Sequence, residues 1–192
     1  MRFERLDLDG VLELVPRRFG DERGFFSETY SKHSFLKAGL DIEWVQDNHS
    51  RSEEQGVLRG LHFQVAPFAQ DKLIRVLRGS IFDVAVDLRV DSPTFGRWTS
   101  RILSASDWNQ LLVPKGFAHG FLTLEPGVEV AYKVSAPYSP QHDRAIRWND
   151  PAIGVAWPLK GRQPILSAKD RDAPLLSDLA GNFAFTNPEP SP

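Results

Sequence analysis

The pattern of apolar and polar positions along the chain is that of short strands rather than helices. From Ile81 to Arg89, Phe82, Val84, Val86 and Leu88 alternate with Asp83, Ala85, Asp87 and Arg89, the period of two that a pleated strand requires. Lys72 to Leu77 precedes it across Arg78-Gly79-Ser80, a link that predicts a hairpin. Further strands are expected at Trp98 to Leu103, Gln110 to Val113, Phe117 to Leu124 and Val128 to Val134. Turn residues punctuate these runs at Gly10, Gly20 to Gly24, Pro93 to Gly96, Pro126-Gly127 and Pro137 to Pro140. One short helix is expected over Ser31 to Leu40, with Ser31 as its N-cap and Gly39 near its end. Many short strands in one chain imply a sandwich, jelly roll or barrel. Residues 1–185 read as a single domain, and the Pro-rich stretch Thr186 to Pro192 as a disordered tail.

Composition narrows the function classes. The chain has 192 residues, with 23 basic against 25 acidic side chains and a net charge of −2. That balance argues against a nucleic-acid or anionic-membrane partner, though a few local cations would suffice for one diphosphate. There are no cysteines, which removes disulfides, thiol catalysis and cysteine-bound zinc. No apolar run approaches the roughly 18 residues of a membrane span. Met1 to Gly10 lacks the apolar core of a signal peptide, so a cytoplasmic location is expected and the sequon Asn48-His49-Ser50 is read as chance.

Four segments are candidates for chemistry. In Gly56-Val57-Leu58-Arg59-Gly60-Leu61-His62-Phe63-Gln64, a histidine sits between apolar neighbours. On residue type it is either a hydrogen-bonded core histidine or a functional one. Strict alternation puts Arg59 and His62 on opposite faces, so they share a pocket only if a bulge near Gly60 resets the pleat. In Val113-Pro114-Lys115-Gly116-Phe117-Ala118-His119-Gly120-Phe121, a Pro-x-Gly turn leads to a second such histidine, open to the same two readings. Along Val128 to Val134, Val128, Val130, Tyr132 and Val134 share one face, so Tyr132 points inward. It is there either a packed tyrosine bonded to a carbonyl or a functional phenol. Leu166 to Pro174, with Lys169, Asp170, Arg171 and Asp172, looks by itself like a solvated loop.

The first two segments resemble the two motifs of cupins, which implies an all-β, cupin-type jelly-roll barrel of antiparallel strands with few short helices. Metal-dependent cupins carry further ligands where this chain has Gln64, Lys72 and Thr123. A cation at Lys72 would repel a metal, and two histidines alone are a poor divalent site. The expectation is therefore no metal and no cofactor, against the rival of a metal-dependent isomerase or dioxygenase.

More of the chain resembles the dTDP-4-dehydrorhamnose 3,5-epimerase family, the metal-free cupins. The matching blocks run in order: Asp21 to Glu28, Gln46 to Ser50, Gly56 to Gln64, Gln70 to Leu73, Asp83 to Arg89, Ser92 to Gly96, Val113 to Phe121, Tyr132-Lys133, Ile146 to Pro151 and Leu166 to Asp170. The resemblance implies inversion at C3 and C5 of a dTDP-linked 4-keto-6-deoxy sugar, whose ring protons are acidified by the C4 ketone. Inversion needs a base on one face, an acid on the other, and a group to stabilise the enolate. By resemblance His62 is the base, Tyr132 the acid, Asp170 the partner that orients His62, and Lys72 the cation at the enolate oxygen. Arg59 and His119 would line the sugar or diphosphate region. Arg23, Glu28, Gln46, Asp47, Asn48 and Lys169 would hold the nucleotide, as would Asp143, which replaces the family's more usual glutamate. The resemblance also implies a homodimer paired through N-terminal strands, with Arg23 and Glu28 reaching the partner's site. A monofunctional C3- or C5-epimerase or a ketoisomerase on a related dTDP-sugar is the alternative within this scaffold. A non-catalytic binding cupin would keep the barrel without His62, Lys72, Tyr132 and Asp170 together.

Overall fold

The computed structural model describes residues 1–179; the tail expected at 186–192 lies outside them. Its elements, in chain order, begin with β1 (Arg2–Arg5), β2 (Leu12–Val15), β3 (Arg18–Asp21), β4 (Gly24–Ser27) and the helix α1 (Lys32–Lys37). They continue with β5 (Gln46–Ser52), β6 (Leu58–Gln64), β7 (Lys72–Arg78), β8 (Ser80–Asp87), β9 (Trp98–Ser104) and β10 (Gln110–Val113). Next come β11 (Phe117–Thr123), β12 (Val128–Val134) and β13 (Asp143–Ala145), and then two single-turn helices, α2 (Ala168–Arg171) and α3 (Leu176–Leu179). Two antiparallel sheets face each other, ordered β1-β2-β10-β7-β12-β5 and β13-β6-β11-β8-β9, while β3 and β4 form a separate two-stranded arm. The predicted cap of α1 is present, with the Ser31 hydroxyl accepting from the Ser34 N–H.

The predicted hairpin at Gly79 is not. β7 and β8 lie in different sheets, so the chain turns a corner there. Gly79 has φ +79°, and a Cβ on it would lie 2.8 Å from Val128 Cγ2. β7 pairs instead with β10 and β12, and β8 with β9 and β11. A three-residue link between apolar runs carries a hairpin signal whether the next strand stays in its sheet or crosses to the opposite one.

Between the sheets lie Ile74, Val76, Ile81, Ala85, Leu111, Val113, Val128 and Val130, each at most 3% exposed. Each fully buried Val, Leu or Ile among them contributes on the order of 1.5–3 kcal/mol. The other face of the five-stranded sheet is covered too. Val84, Val86, Leu88 and Leu122 pack against Ile146, Ile153, Trp157 and Leu176 from the C-terminal segment. The apolar set of β8 therefore faces that outer layer, while Asp83 and Ala85 point between the sheets.

β6 and β11 carry the irregularity that the site needs. His62 pairs with His119 and Arg59 with Phe121, so three residues on β6 span the step that two span on β11. This irregularity near Gly60 meets the condition under which Arg59 and His62 can share a pocket. A Cβ at Gly60, where φ is +119°, would fall 2.5 Å from Gly120 Cα and 2.7 Å from the His119 carbonyl oxygen. Only glycine permits that approach, and the reset pleat turns Arg59 and His62 into the same cavity.

Candidate active site

That cavity, of about 410 Å³, opens between the sheets and is lined by Arg59, His62, Lys72, His119, Tyr132 and Asp170. A second, of about 370 Å³, shares His62, Lys72 and Tyr132 with it and continues to Gln46, Asn48, Tyr138, Asp143 and Lys169. Shared walls make them one continuous depression with two ends.

His62 Nε2 lies 2.5 Å from Asp170 Oδ1. Asp170 is only 2% exposed, and its Oδ2 accepts from the Ser167 hydroxyl at 2.8 Å. Ser167 also caps α2 by accepting the Asp170 N–H. Burial pushes the Asp170 carboxyl up, but hydrogen bonds from His62, Ser167 and the Gly60 N–H outweigh it and hold it below its ordinary value. An ionised Asp170 fixes the Nε2–H tautomer of His62 and leaves Nδ1 with a free lone pair.

Tyr132 comes from the opposite sheet. It shares the inward face of β12 with Val128, Val130 and Val134, as predicted, and packs against the core cluster. Among the described residues its hydroxyl has no hydrogen-bond partner, which removes the reading of a packed tyrosine tied to a carbonyl. Burial raises its pKa, against the opposing charge of Arg59, and Asp143 raises it further. The phenol is therefore held protonated.

Lys72, on β7, shares the inward face with Tyr132, since Val134 pairs with Lys72 and Tyr132 with Ile74. Its ammonium donates to the His62 carbonyl at 3.3 Å. Burial brings its pKa down to about 8, with Asp143 and Asp83 resisting and Lys169 adding to the fall. His119, 8% exposed, bonds both oxygens of the fully buried Asp83 at 2.9 and 3.0 Å. Burial raises the Asp83 carboxyl, and His119 and Lys72 oppose that rise. Arg59 donates to the Ser52 hydroxyl at 3.2 Å and to the Arg51 carbonyl at 3.1 Å.

At the other end, the Asp143 carboxylate accepts from the Lys169 ammonium and from the Tyr138 hydroxyl at 3.1 Å. The Tyr138 N–H donates to Gln46 Oε1 at 3.0 Å, and Gln46 Nε2 donates to Asn48 Oδ1 at 2.7 Å. Gln64, which stands where a metal cupin has a histidine, holds the neighbouring loop instead. It donates to the carbonyls of Phe68 and Pro137 and accepts the Ser139 N–H at 2.7 Å.

Three of the predicted residues are not brought to this depression within one chain. Asp47 points to the outer face of its sheet, where it pairs with Lys133 at 2.9 Å. Arg23 and Glu28 belong to the β3–β4 arm and its exit, and Arg23 pairs with Asp21. Three participants escaped the sequence reading. Asp83 is one half of an alternation that leaves its facing undetermined. Tyr138 sits in a run of turn residues. Ser167 was visible only as part of a polar loop, although a serine three residues before an acid is a capping signal.

A jelly roll of antiparallel sheets that lines one cavity with a carboxylate-bound histidine, a phenol and a buried lysine is a cupin-type arrangement. The chain belongs to the dTDP-4-dehydrorhamnose 3,5-epimerase family, whose model matches residues 5–178. It is 51% identical over 185 residues to the dTDP-4-dehydrorhamnose 3,5-epimerase of Sinorhizobium fredii, covering 96% of this chain and 94% of that protein. With the Salmonella typhimurium enzyme of the same name it shares 53% over 167 residues, 86% and 90% of the two chains. Among solved structures, the Bacillus anthracis 3,5-epimerase with TDP and pyrophosphate bound superposes with TM-score 0.88 at 52% identity, covering 91% and 99%. The Legionella pneumophila 3,5-epimerase in complex with dTDP-4-keto-L-rhamnose gives 0.92 at 41%, covering 97% and 98%. The 3'-monoepimerase ChmJ of Streptomyces bikiniensis, in complex with dTDP-quinovose, gives 0.85 at 34%, covering 91% and 87%.

Proposed function

We propose that His62 and Tyr132 carry out the inversions from opposite sheets, with Lys72 between them at the developing enolate. The activity is that of an isomerase: dTDP-4-dehydro-6-deoxy-D-glucose is epimerised at C3 and C5 to dTDP-4-dehydro-L-rhamnose, in dTDP-rhamnose biosynthesis. The observation that carries the assignment is the shared cavity. His62, oriented by Asp170, and the unpartnered Tyr132 hydroxyl line the same space from its two walls.

Each inversion then runs in two proton transfers. His62 Nδ1 takes the proton alpha to the ketone, and the C–H electron pair moves into the ring to form the enolate. The Lys72 ammonium bears on the C4 oxygen as charge gathers there, an oriented donor of the oxyanion-hole kind. The Tyr132 hydroxyl gives a proton to the opposite face of the same carbon, and the enolate collapses to the ketone. Solvent returns a proton to Tyr132 and removes one from His62. Arg59 and His119 line the sugar end, while Gln46, Asn48, Lys169 and Tyr138 line the end that takes the nucleotide, where an exposed phenol ring offers a stacking face to a base.

Arg23 and Glu28 fit this reading through a second copy of the chain. The β3–β4 arm exposes Phe19, Phe25 and Phe26 at 51, 53 and 71%, an apolar surface that a partner chain would cover. We propose a homodimer in which each arm carries Arg23 and Glu28 to the other chain's cavity.

Proton NMR of the reaction in deuterated water tests the double inversion. Deuterium at both C3 and C5 of an inverted product is the expected result. Label and inversion at one carbon alone would establish the monofunctional reading instead.

A further inference from the structure

We infer that Arg147 is a positioning residue for the reaction: by tying the segment that follows α2 back to β6, it sets the seat of Asp170 against His62. The inference rests on the reading of Asp170 as the group that orients His62. The helix α2 has four residues, and a single turn carries the cost of nucleation with almost no hydrogen bonds to offset it. Its place is therefore set by what holds its two ends. Before it, the Leu58 N–H donates to the Ile165 carbonyl at 3.0 Å, and the Ile165 N–H to the Gly56 carbonyl at 2.8 Å. After it, Arg147 holds the chain twice. Its backbone N–H donates to the Pro174 carbonyl at 2.8 Å, and its Nε to the carbonyl of the buried Ala173 at 3.1 Å. Asp150, also buried, adds a third point by accepting the Leu176 N–H at 2.6 Å.

Arg147 is itself anchored beside the base. The residue before it, Ile146, exchanges both backbone hydrogen bonds with Leu61, at 2.9 and 3.2 Å, and Leu61 is the neighbour of His62. The histidine and its carboxylate are thus referenced to one point on β6, through a closed ring that runs Leu61, Ile146, Arg147, Ala173, Asp170, His62. Asp170 needs that precision. Its side chain is short, it meets His62 at 2.5 Å, and it has no slack to absorb a shift of the helix. Lys169, next to it on α2, is 47% exposed and reaches Asp143 at the end of four methylenes, so it can follow a small displacement. Loosening the clamp should therefore appear in turnover before it appears in binding.

The test combines steady-state kinetics, calorimetric titration with dTDP and proton NMR. Arg147→Met keeps the backbone bond to Pro174 and removes only that of the guanidinium. It should lower kcat about ten- to thirtyfold, within what a misplacement of under about 1 Å costs, with dTDP affinity held within about threefold. The far-downfield proton resonance of the His62–Asp170 bond, assigned by its absence in Asp170→Ala, should move upfield as the bond lengthens. In an Asp170→Ala background, Arg147→Met should change kcat by less than about twofold, since no carboxylate is left to position. Should Arg147→Met not fold, Asp150→Asn loosens the same segment at Leu176 and is expected to give the same pattern. Unchanged kcat, an unmoved resonance, or the full loss recurring without the carboxylate would each overturn the proposal. Near-normal turnover by Asp170→Ala would remove the reading on which it rests, whereas a large loss there with none from Arg147→Met sinks this inference alone.

Discussion

His62 and Asp170 stand 108 positions apart in the chain and 2.5 Å apart in space. The contact joins a bulged strand of one sheet to a single-turn helix in the C-terminal covering segment. It is made possible by the Gly60 N–H and the Ser167 hydroxyl, which share the carboxylate's remaining capacity.

If Asp170 sets the tautomer of His62, Asp170→Asn should lower kcat by about 10³–10⁴-fold, as loss of the orienting carboxylate does in a serine-protease triad. Binding of dTDP should hardly change. Near-normal turnover would return Asp170 to the role of a capping residue.

Lys72 gives the reaction an alkaline limit. Its pKa in the free enzyme is about 8, and only the ammonium can stabilise the enolate, so kcat/KM should fall with unit slope as pH rises through that value. Lys72→Arg, charged at all accessible pH, should be slower but lose that limb. A profile flat to pH 10 would contradict the role.

Gly60→Ala tests the bulge. A methyl 2.5 Å from Gly120 Cα cannot be housed without parting β6 from β11, at a cost of roughly 2–4 kcal/mol in denaturant unfolding. Gly56→Ala, also at positive φ but with nothing within 4 Å, should cost only about 1–2 kcal/mol. Equal costs would show that φ, and not the strand crossing, requires Gly60.

The arm predicts a mass by light scattering of twice 21.6 kDa. Phe26→Asp should shift it toward one chain and reduce kcat/KM, because Arg23 and Glu28 would no longer reach a second cavity. Full activity at 21.6 kDa would contradict the dimer.

Much of this was legible in the sequence for identifiable reasons. The alternation in β12 placed Tyr132 inward because its companions, Val128, Val130 and Val134, are all apolar and leave one facing. Strict alternation put Arg59 and His62 on opposite faces, so the sequence could say only that a shared pocket required a bulge near Gly60. β8 was harder, because a sheet covered on both sides removes the link between apolar and inward, so Asp83 could not be placed. The link at Gly79 has the residues of a hairpin although the strands part into two sheets. Asp170 has only polar neighbours in sequence, and only its distant contact distinguishes it from a solvated loop residue.

The central claim is that His62 and Tyr132 serve the two faces of the same carbon, and product formation by Tyr132→Phe tests it most directly. That variant removes one hydroxyl and keeps the base, Lys72 and nearly all the packing volume. His62→Asn, the companion control, should show neither inversion nor exchange of the ring protons with deuterated water. The account predicts that Tyr132→Phe makes little or no inverted product while His62 can still exchange ring protons slowly on the original face. A Tyr132→Phe enzyme that forms the epimer at a rate comparable to the unaltered protein would contradict it and place the acid elsewhere.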